Sequence, residues 1–151
     1  MIEVIIALSS VLLGFILGFV VEWGRGKRRL KVHWAALRSE INLCKKRAQD
    51  YVGGRVKAPL YRLPTVAFQI SLPILMVDGD LSAKGFEALV EYYSWCLDIN
   101  RGLDNADELR KDENLKLLEK EYRRNLDKAE TLYNPKDAQP SRYEEAVKVL
   151  K

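Results

Sequence analysis

The chain is 151 residues long, enough for one compact domain beside a membrane segment, and it carries a net charge of +4. The charge is unevenly distributed, because residues 25–62 have a net charge of +10 and residues 63–151 a net charge of −4. The chain has two cysteines, no C-x-x-C motif and one histidine. These counts argue against a disulfide scaffold and against a metal centre built from histidine and cysteine.

The first twenty-four residues predict a transmembrane anchor. No residue between Val4 and Val21 is charged, and this stretch as a helix rises about 27 Å, close to the ~30 Å hydrocarbon thickness of a bilayer. A cleaved signal peptide would need a positively charged start and a small-residue cleavage site, and neither is present. A buried helix of a water-soluble protein would not be apolar on every face. We therefore predict a retained anchor over residues 1–24.

A group of cations follows the predicted anchor, and we call it the basic cluster: Arg25, Lys27, Arg28, Arg29 and Lys31. Cations beside a span remain in the cytoplasm. We therefore expect a single-pass protein of the inner (cytoplasmic) membrane, with its N-terminus outside and the rest in the cytoplasm. The basic cluster also predicts contact with anionic lipid headgroups. Nucleic-acid binding is the alternative, but no aromatic residues interleave with these cations, so we predict no nucleic-acid partner.

Small residues recur along one face of the predicted anchor, at Ala7, Ser10, Gly14 and Gly18. Small side chains allow helices to approach each other closely in lipid. The stripe predicts a helix contact, either in a homo-oligomer or with a larger membrane-protein complex. The simpler alternative is that glycine is common in membrane spans.

Residues 25–133 predict a helical cytoplasmic domain that begins with a helix over 27–52. Apolar residues at heptad spacing form a seam on this helix: Leu30, Trp34, Leu37, Ile41, Cys44, Ala48 and Tyr51. The seam fits one helix of an intramolecular bundle, which its short length favours, or a parallel coiled coil between copies. The anchor and this helix are expected to form one rod over residues 1–52, in which Gly24 and Gly26 are a candidate kink at the membrane surface.

An apolar connector over residues 55–64 follows, and its prolines exclude a continuous helix. Thr65 is then expected to cap a helix over 66–77, which Pro73 would kink or divide. Ser82 is the predicted N-cap of the next helix. The apolar stripe of that helix contains one polar member: Phe86, Leu89, Tyr93, Cys96, Asn100 and Leu103.

A third long helix is expected from Asp112 to Tyr133, with one apolar face: Leu115, Leu118, Tyr122, Leu126, Ala129 and Tyr133. Residues 134–151 predict a linker and a C-terminal amphipathic helix, which begins at the capping box of Ser141 and Glu144. The expected fold is all-α, with an N-terminal transmembrane helix followed by a small antiparallel helical bundle.

No phosphate-binding loop, metal motif or convergent set of acid–base groups is present in the sequence. We therefore predict a protein that is not an enzyme and has no cofactor, with Cys44 and Cys96 as free thiols. The most site-like polar residues are Arg62, Asn100, Arg101 and Asp104. An Arg62–Asp104 ion pair would attach the connector to the bundle. The alternative is a small anionic-ligand pocket built on the two arginines.

Four segments, WAALRSEINLC, APLYRLPTVAF, SLPILMVDGDLS and NRGLD, lie between residues 34 and 104. In these segments the chain resembles uncharacterised bacterial single-pass membrane proteins with a short helical cytoplasmic part. The resemblance covers about half of the chain and implies a bacterial source and an N-terminal anchor. It implies no activity and no site residues.

The sequence therefore predicts a non-enzymatic, membrane-anchored helical interaction protein that acts as an accessory subunit or scaffold of a membrane assembly. The alternative is a membrane-tethered module that senses a ligand or regulates a partner.

Overall fold

The computed structural model describes residues 2–54, 62–79, 81–134 and 140–150, with side chains described from residue 14 onward. These residues form α-helices and no strand, which confirms the predicted all-α class. The helices are α1 (Ile2–Val52), α2 (Val66–Asp78), α3 (Ala83–Lys111), α4 (Leu115–Tyr133) and α5 (Arg142–Val149). Among the described residues, no helix is both long enough and apolar enough to cross a membrane. The side chains of residues 4–13 of the predicted anchor lie outside the described part.

Helix α1 is a single helix of 51 residues, which corresponds to a length of roughly 76 Å. The helix is unbroken through Gly24 and Gly26, where the sequence predicted a kink. A helix needs only backbone hydrogen bonds to continue through glycine, and no neighbouring atom lies within 4 Å of a Cβ position at either residue. The predicted rod is therefore present as one continuous helix from Ile2 to Val52.

The heptad seam of α1 is buried inside the chain. Leu37, Ile41 and Cys44 have no exposed surface, and Ala48 and Tyr51 are exposed by only 1% and 3%. These side chains belong to one core with residues of α2, α3, α4 and α5. The seam therefore serves the intramolecular bundle, and its central members offer no surface for a coiled coil between copies.

Contacts along the core give the direction of α3 relative to α1. The Tyr92 hydroxyl donates to the Ile41 carbonyl at 3.1 Å, and Leu103 lies beside the same small cavity as Tyr51. Residue numbers therefore rise together along the two helices, so α1 and α3 are parallel. Ser82 caps α3 as predicted, since its hydroxyl accepts from the Gly85 N–H at 3.1 Å.

Helices α4 and α5 run in the opposite direction to α3. In α4, Lys128 pairs with Asp98 of α3, whereas the earlier Asn125 lies beside the later Gly102. In α5, Arg142 pairs with Glu91 of α3 at 2.8 Å, whereas the later Val149 lies beside the earlier Gly85. The predicted capping box starts α5, because Ser141 and Glu144 bond reciprocally to each other's backbone N–H. Helices α4 and α5 are therefore each antiparallel to α3, which agrees with the predicted antiparallel bundle.

The start of α4 differs from its prediction. The helix begins at Leu115 rather than Asp112, because the Asn114 side chain caps it and Glu113 has a positive φ of 54°. Leu115 is 73% exposed, so its predicted place on the apolar face is wrong. The buried members of this helix include Asn125 and Leu132, which the predicted face omitted.

Asn125 is fully buried where α4 crosses α3 most closely. A Cβ added to Gly102 of α3 would lie only 2.0 Å from Asn125 Oδ1. Neither polar atom of this amide has a hydrogen-bond partner in the part of the chain that the structure describes. The absent side chain of Gly102 is therefore what allows Asn125 to enter the core.

Gly102→Ala is expected to lower the free energy of unfolding by about 1–3 kcal/mol, because the new methyl group overlaps the Asn125 amide. Alanine favours a helix over glycine by about 1 kcal/mol. Without the overlap, the substitution would therefore raise the free energy of unfolding instead of lowering it. Denaturant unfolding of the detergent-solubilised chain measures it. The matched control is the Gly102→Ala/Asn125→Ala double variant, in which the added methyl group should cost less. Equal or increased stability of Gly102→Ala alone would contradict this packing.

The Lys128 ammonium donates a hydrogen bond to the Asp98 carboxylate and lowers the pKa of that carboxyl. The carboxylate therefore stabilises the fold above its unfolded pKa of about 3.9, and this contribution is lost as the pH falls through the lower folded value. Asp98→Asn should make the free energy of unfolding less dependent on pH below about pH 4. A variant with the same acid dependence as the natural chain would exclude this role.

Candidate functional site

Asn100 of α3 attaches the connector to the bundle. Its Oδ1 accepts from the Leu63 N–H at 2.7 Å, and its Nδ2 donates to the Leu63 carbonyl at 2.8 Å. Leu63 is 4% exposed, so both of these backbone groups would otherwise be removed from water without a partner. This pairing explains why a polar residue stands on the apolar stripe of α3.

Arg62 forms the ion pair that the sequence suggested. Its Nε and Nη2 both donate to Asp104 Oδ1, at 2.9 Å and 2.5 Å. The two side chains are 34% and 62% exposed, so the pair contributes at most about 1 kcal/mol. The Arg62 carbonyl also accepts from Arg47 Nη1 at 2.5 Å. The ion pair therefore supplements the Asn100 contact in holding the connector.

Three of the four residues of the predicted polar pocket are engaged in contacts within the chain, since Arg62 pairs with Asp104 and Asn100 bonds to Leu63. Arg101 is exposed, and its charge contributes to the lowered pKa of Asp98. The cavity beside the connector has a volume of about 10 Å³ and is lined by residues that include Tyr51 and Leu63. That volume is about the size of a single water molecule. Burial raises the pKa of the Tyr51 hydroxyl, which is therefore neutral at physiological pH.

Glu40 of α1 caps the N-terminus of α2, and the sequence analysis missed this role. Its carboxylate accepts from the Ala67 N–H at 2.7 Å and from the Phe68 N–H at 3.0 Å. Thr65 is the N-cap residue of α2, as predicted, but its side chain makes no capping hydrogen bond. A carboxylate at this position accepts hydrogen bonds from N–H groups that have no partner within the helix. Its negative charge also interacts favourably with the positive end of the helix dipole. The sequence feature that could have indicated this role is that Glu40 is one of only two acidic residues in residues 25–62.

A second polar contact joins α2 to α1, between His33 Nδ1 and Ser71 Oγ at 3.1 Å. Because Glu40 meets the first turn of α2 and His33 meets its middle, the two helices are antiparallel. Helix α2 is continuous through Pro73, where a kink or division was expected. His33 thus has a structural contact, and the described residues contain no group of three or more side chains suited to a metal ion.

The side chains of α1 from Gly14 to Arg29 are far more exposed than those of its second half. Every residue from Gly14 to Arg29 except Gly24 is exposed, including Phe15 at 76%, Phe19 at 66% and Trp23 at 59%. All five residues of the basic cluster are exposed, four within this stretch and Lys31 just after it. We call residues 14–23 the exposed apolar segment; of its members only Glu22 is charged.

Gly14 and Gly18, the described members of the small-residue stripe, have no neighbouring atom within 4 Å of a Cβ position. Ala7 and Ser10 lie where side chains are not described. At the end of the segment, Lys27 Nζ lies 3.6 Å from the centre of the Trp23 ring, which is a cation–π contact. The stripe is therefore open to a partner at both described positions.

Comparisons with protein-family models, with curated proteins and with solved structures found no match to this chain.

Asn100→Ala is expected to lower the free energy of unfolding by about 2–3 kcal/mol, because it leaves the Leu63 N–H and carbonyl buried without partners. Chemical denaturation of the full chain in mild detergent measures the loss. The matched control is Arg101→Ala, the exposed neighbour, which should change stability by less than about 0.5 kcal/mol. Equal effects of the two substitutions would exclude the proposed attachment.

Proposed function

We propose that the chain is a non-enzymatic, membrane-anchored helical interaction protein that acts as an accessory subunit or scaffold of a membrane assembly. In this proposal residues 1–24 cross the inner membrane with the N-terminus outside, and the bundle lies in the cytoplasm. The observation that carries the proposal is the contrast between the two halves of α1. No apolar residue of the exposed apolar segment belongs to the described core or packs against it, whereas Leu37 and the later seam residues are buried.

The free energy of burying the exposed apolar side chains of this segment supports a lipid environment for it. Ile16 and Leu17 are 52% and 57% exposed, and Phe15 and Phe19 are exposed still further. Full burial of one such side chain is worth about 1.5–3 kcal/mol. A contiguous apolar surface on all sides of a helix therefore favours transfer into the bilayer. The sequence continues this apolar character back to Val4.

Residues at the end of the segment support a membrane boundary near Trp23. Tryptophan is enriched at the headgroup level of membranes, and Lys27 lies against this ring on the bundle side. The exposed cations of the basic cluster follow directly and would meet anionic lipid headgroups. Their position after the segment supports a cytoplasmic bundle.

The open positions of Gly14 and Gly18 support a helix contact within the membrane. Two glycines four residues apart allow a second helix to approach the backbone closely. The partner in this proposal is a second copy or another membrane protein.

Support for a non-enzymatic role comes from three polar side chains of the core region that bond to the backbone. Glu40, Asn100 and the Tyr92 hydroxyl each bond to a backbone group. Such groups hold helices and the connector in place, and they leave no free pair for acid–base chemistry at these positions. The ligand-sensing alternative has less support at the connector, because the cavity beside Leu63 has a volume of only about 10 Å³.

The anchor is tested by placing two arginines in the exposed apolar segment. Phe15→Arg/Leu17→Arg should reduce carbonate-resistant membrane recovery at least tenfold, because each arginine costs up to about 3 kcal/mol within the bilayer. The matched control is Leu115→Arg/Leu117→Arg at the start of α4, where the leucines are 73% and 50% exposed. This control should stay in the membrane. Equal recovery of both variants would reject the anchor.

The helix contact is tested by filling the two glycine positions. Gly14→Leu/Gly18→Leu should reduce the oligomer size or the partner recovery in mild detergent, since the added side chains prevent close approach. Val20→Leu/Val21→Leu is the control for added apolar volume. Unchanged assembly of the glycine variant would contradict this part of the proposal.

A further inference from the structure

Helices α2 and α3 each have one end beside the part of α1 where the bundle begins. Helix α2 runs antiparallel to α1 and its Ala67 meets Glu40, so Asp78 lies about 16 Å further toward the N-terminus of α1. Helix α3 runs parallel to α1 and its Tyr92 meets Ile41, so its first residue lies about 14 Å further in the same direction. Both helix ends are therefore beside residues 29–32 of α1.

Helix α5 ends at the same height along α1. A Cβ position on Gly85, in the first turn of α3, has Val149 of α5 as its nearest neighbour. The end of α2, the start of α3 and the end of α5 therefore form one surface. We call it the membrane-proximal end of the bundle, and it consists of the described residues 76–78, 81–85 and 148–150.

The proposed anchor brings this surface close to the lipid headgroups. From Trp23 at the membrane boundary, α1 rises about 9–14 Å to residues 29–32, and the headgroup layer extends about 5–8 Å beyond the hydrocarbon. The membrane-proximal end therefore lies within about one Debye length of the headgroup surface, which is about 8 Å at physiological ionic strength. Because α1 is unbroken, this height is set by the helix itself.

The charge of the membrane-proximal end is complementary to anionic lipid. Lys84 and Lys148 are both exposed there, at nearly the same height as the last cations of the basic cluster. Asp78 is the acidic residue among the described residues of this end. Glu87 and Glu91 follow only one and two turns after the start of α3, further from the membrane. Positive charge is thus concentrated on the side of the bundle that the anchor directs to the bilayer.

Lys84 has an unfavourable position if the chain is considered alone. It lies in the first turn of α3, which contains no acidic residue. The positive end of the helix dipole favours a negative charge at this position and disfavours a cation. An anionic surface next to this turn would interact favourably with the cation and with the dipole.

The membrane-proximal end also presents apolar side chains to its surroundings. Met76 and Val77, in the last turn of α2, are 55% and 82% exposed. Val77 lies about 10 Å above Trp23 along α1, so it is the part of the bundle that comes nearest to the headgroup layer. Exposed apolar side chains next to lysines are the composition of surfaces that lie in a membrane interface. The bilayer is the occupant that the anchor itself supplies at this distance.

We propose that the membrane-proximal end docks on anionic phospholipid headgroups, with Lys84 and Lys148 beside the phosphates and with Met76 and Val77 in the headgroup layer. This inference rests on the proposed function, because the anchor holds the surface at this height. An anchor alone leaves the bundle free to tilt and turn above the bilayer. A second contact, made by the bundle itself, fixes its orientation relative to the membrane.

The experiment measures lipid contact at residue 77 of the full chain in liposomes. A fluorophore on Val77→Cys is quenched by phospholipids that carry a spin label on the headgroup. The quenching should be at least threefold stronger in liposomes that contain phosphatidylglycerol than in neutral phosphatidylcholine, and raised salt should reduce it. Leu117→Cys, 50% exposed at the opposite end of the bundle, is the control site and should be quenched weakly in both. The natural Cys44 and Cys96 are fully buried, and the unsubstituted chain measures their background labelling.

Charge reversal tests the two lysines, with the fluorophore kept at residue 77. Lys84→Glu/Lys148→Glu should remove most of the additional quenching that the anionic lipid gives. Glutamate in the first turn of α3 is favoured by the helix dipole, so the variant retains its fold. The matched control is Lys116→Glu/Lys120→Glu, an equal change of charge at exposed positions of α4, and it should leave the quenching unchanged.

The outcomes separate the docking from the anchor, which a fluorophore on Leu17→Cys reports through spin labels on the lipid chains. If residue 17 is quenched and residue 77 is quenched no more than residue 117, the docking is rejected and the anchor stands. Equal effects of the two charge reversals, or equal quenching at residue 77 in neutral and anionic liposomes, would also overturn the docking. Absence of quenching at residue 17 would reject the anchor, and the docking with it.

Discussion

The unbroken course of α1 is the constraint on which the remaining structure depends. One helix contains the exposed apolar segment and continues into the seam that packs in one core with residues of the other helices. Because no break lies between Trp23 and Leu37, movement or rotation of the first part is transmitted directly to the core. A protein built in this way has a bundle whose orientation is set by the surroundings of its first helix. This coupling suits an interaction protein better than a flexible tether would.

The core is oriented by polar side chains that bond to backbone groups of distant segments. Glu40 caps the first turn of α2, Asn100 holds both backbone groups of Leu63, and Tyr92 reaches the Ile41 carbonyl. Apolar packing alone would allow the connector and α2 to slide along the bundle, since it has little directional preference. Hydrogen bonds to buried backbone groups are costly to lose, so they select one arrangement. The contacts of Glu40 and His33 with α2 fix the position of this helix along α1.

Local features of the fold were predictable from the sequence because their physics is local. The seam of α1, the cap at Ser82 and the capping box at Ser141 depend on residues a few positions apart, and all three are present. The Glu40 cap and the entry of Asn125 beside Gly102 depend on residues at least 23 positions apart. A single sequence contains no measure of such distances. It therefore located the N-cap of α2 at Thr65 but did not show that Glu40 supplies the capping hydrogen bonds, and it assigned Leu115 to a buried face. The Arg62–Asp104 ion pair was anticipated from the opposite charges of the two side chains.

The depth of α1 in a bilayer tests the central claim most directly. A fluorophore would be attached to Leu17→Cys in one preparation and to Val32→Cys, at a site that is 66% exposed, in another, with the full chain in liposomes that contain anionic lipid. The account predicts that spin labels on the lipid chains quench the fluorophore at residue 17 and leave that at residue 32 accessible to aqueous iodide. Equal access of iodide to both positions would contradict a membrane-embedded first half of α1.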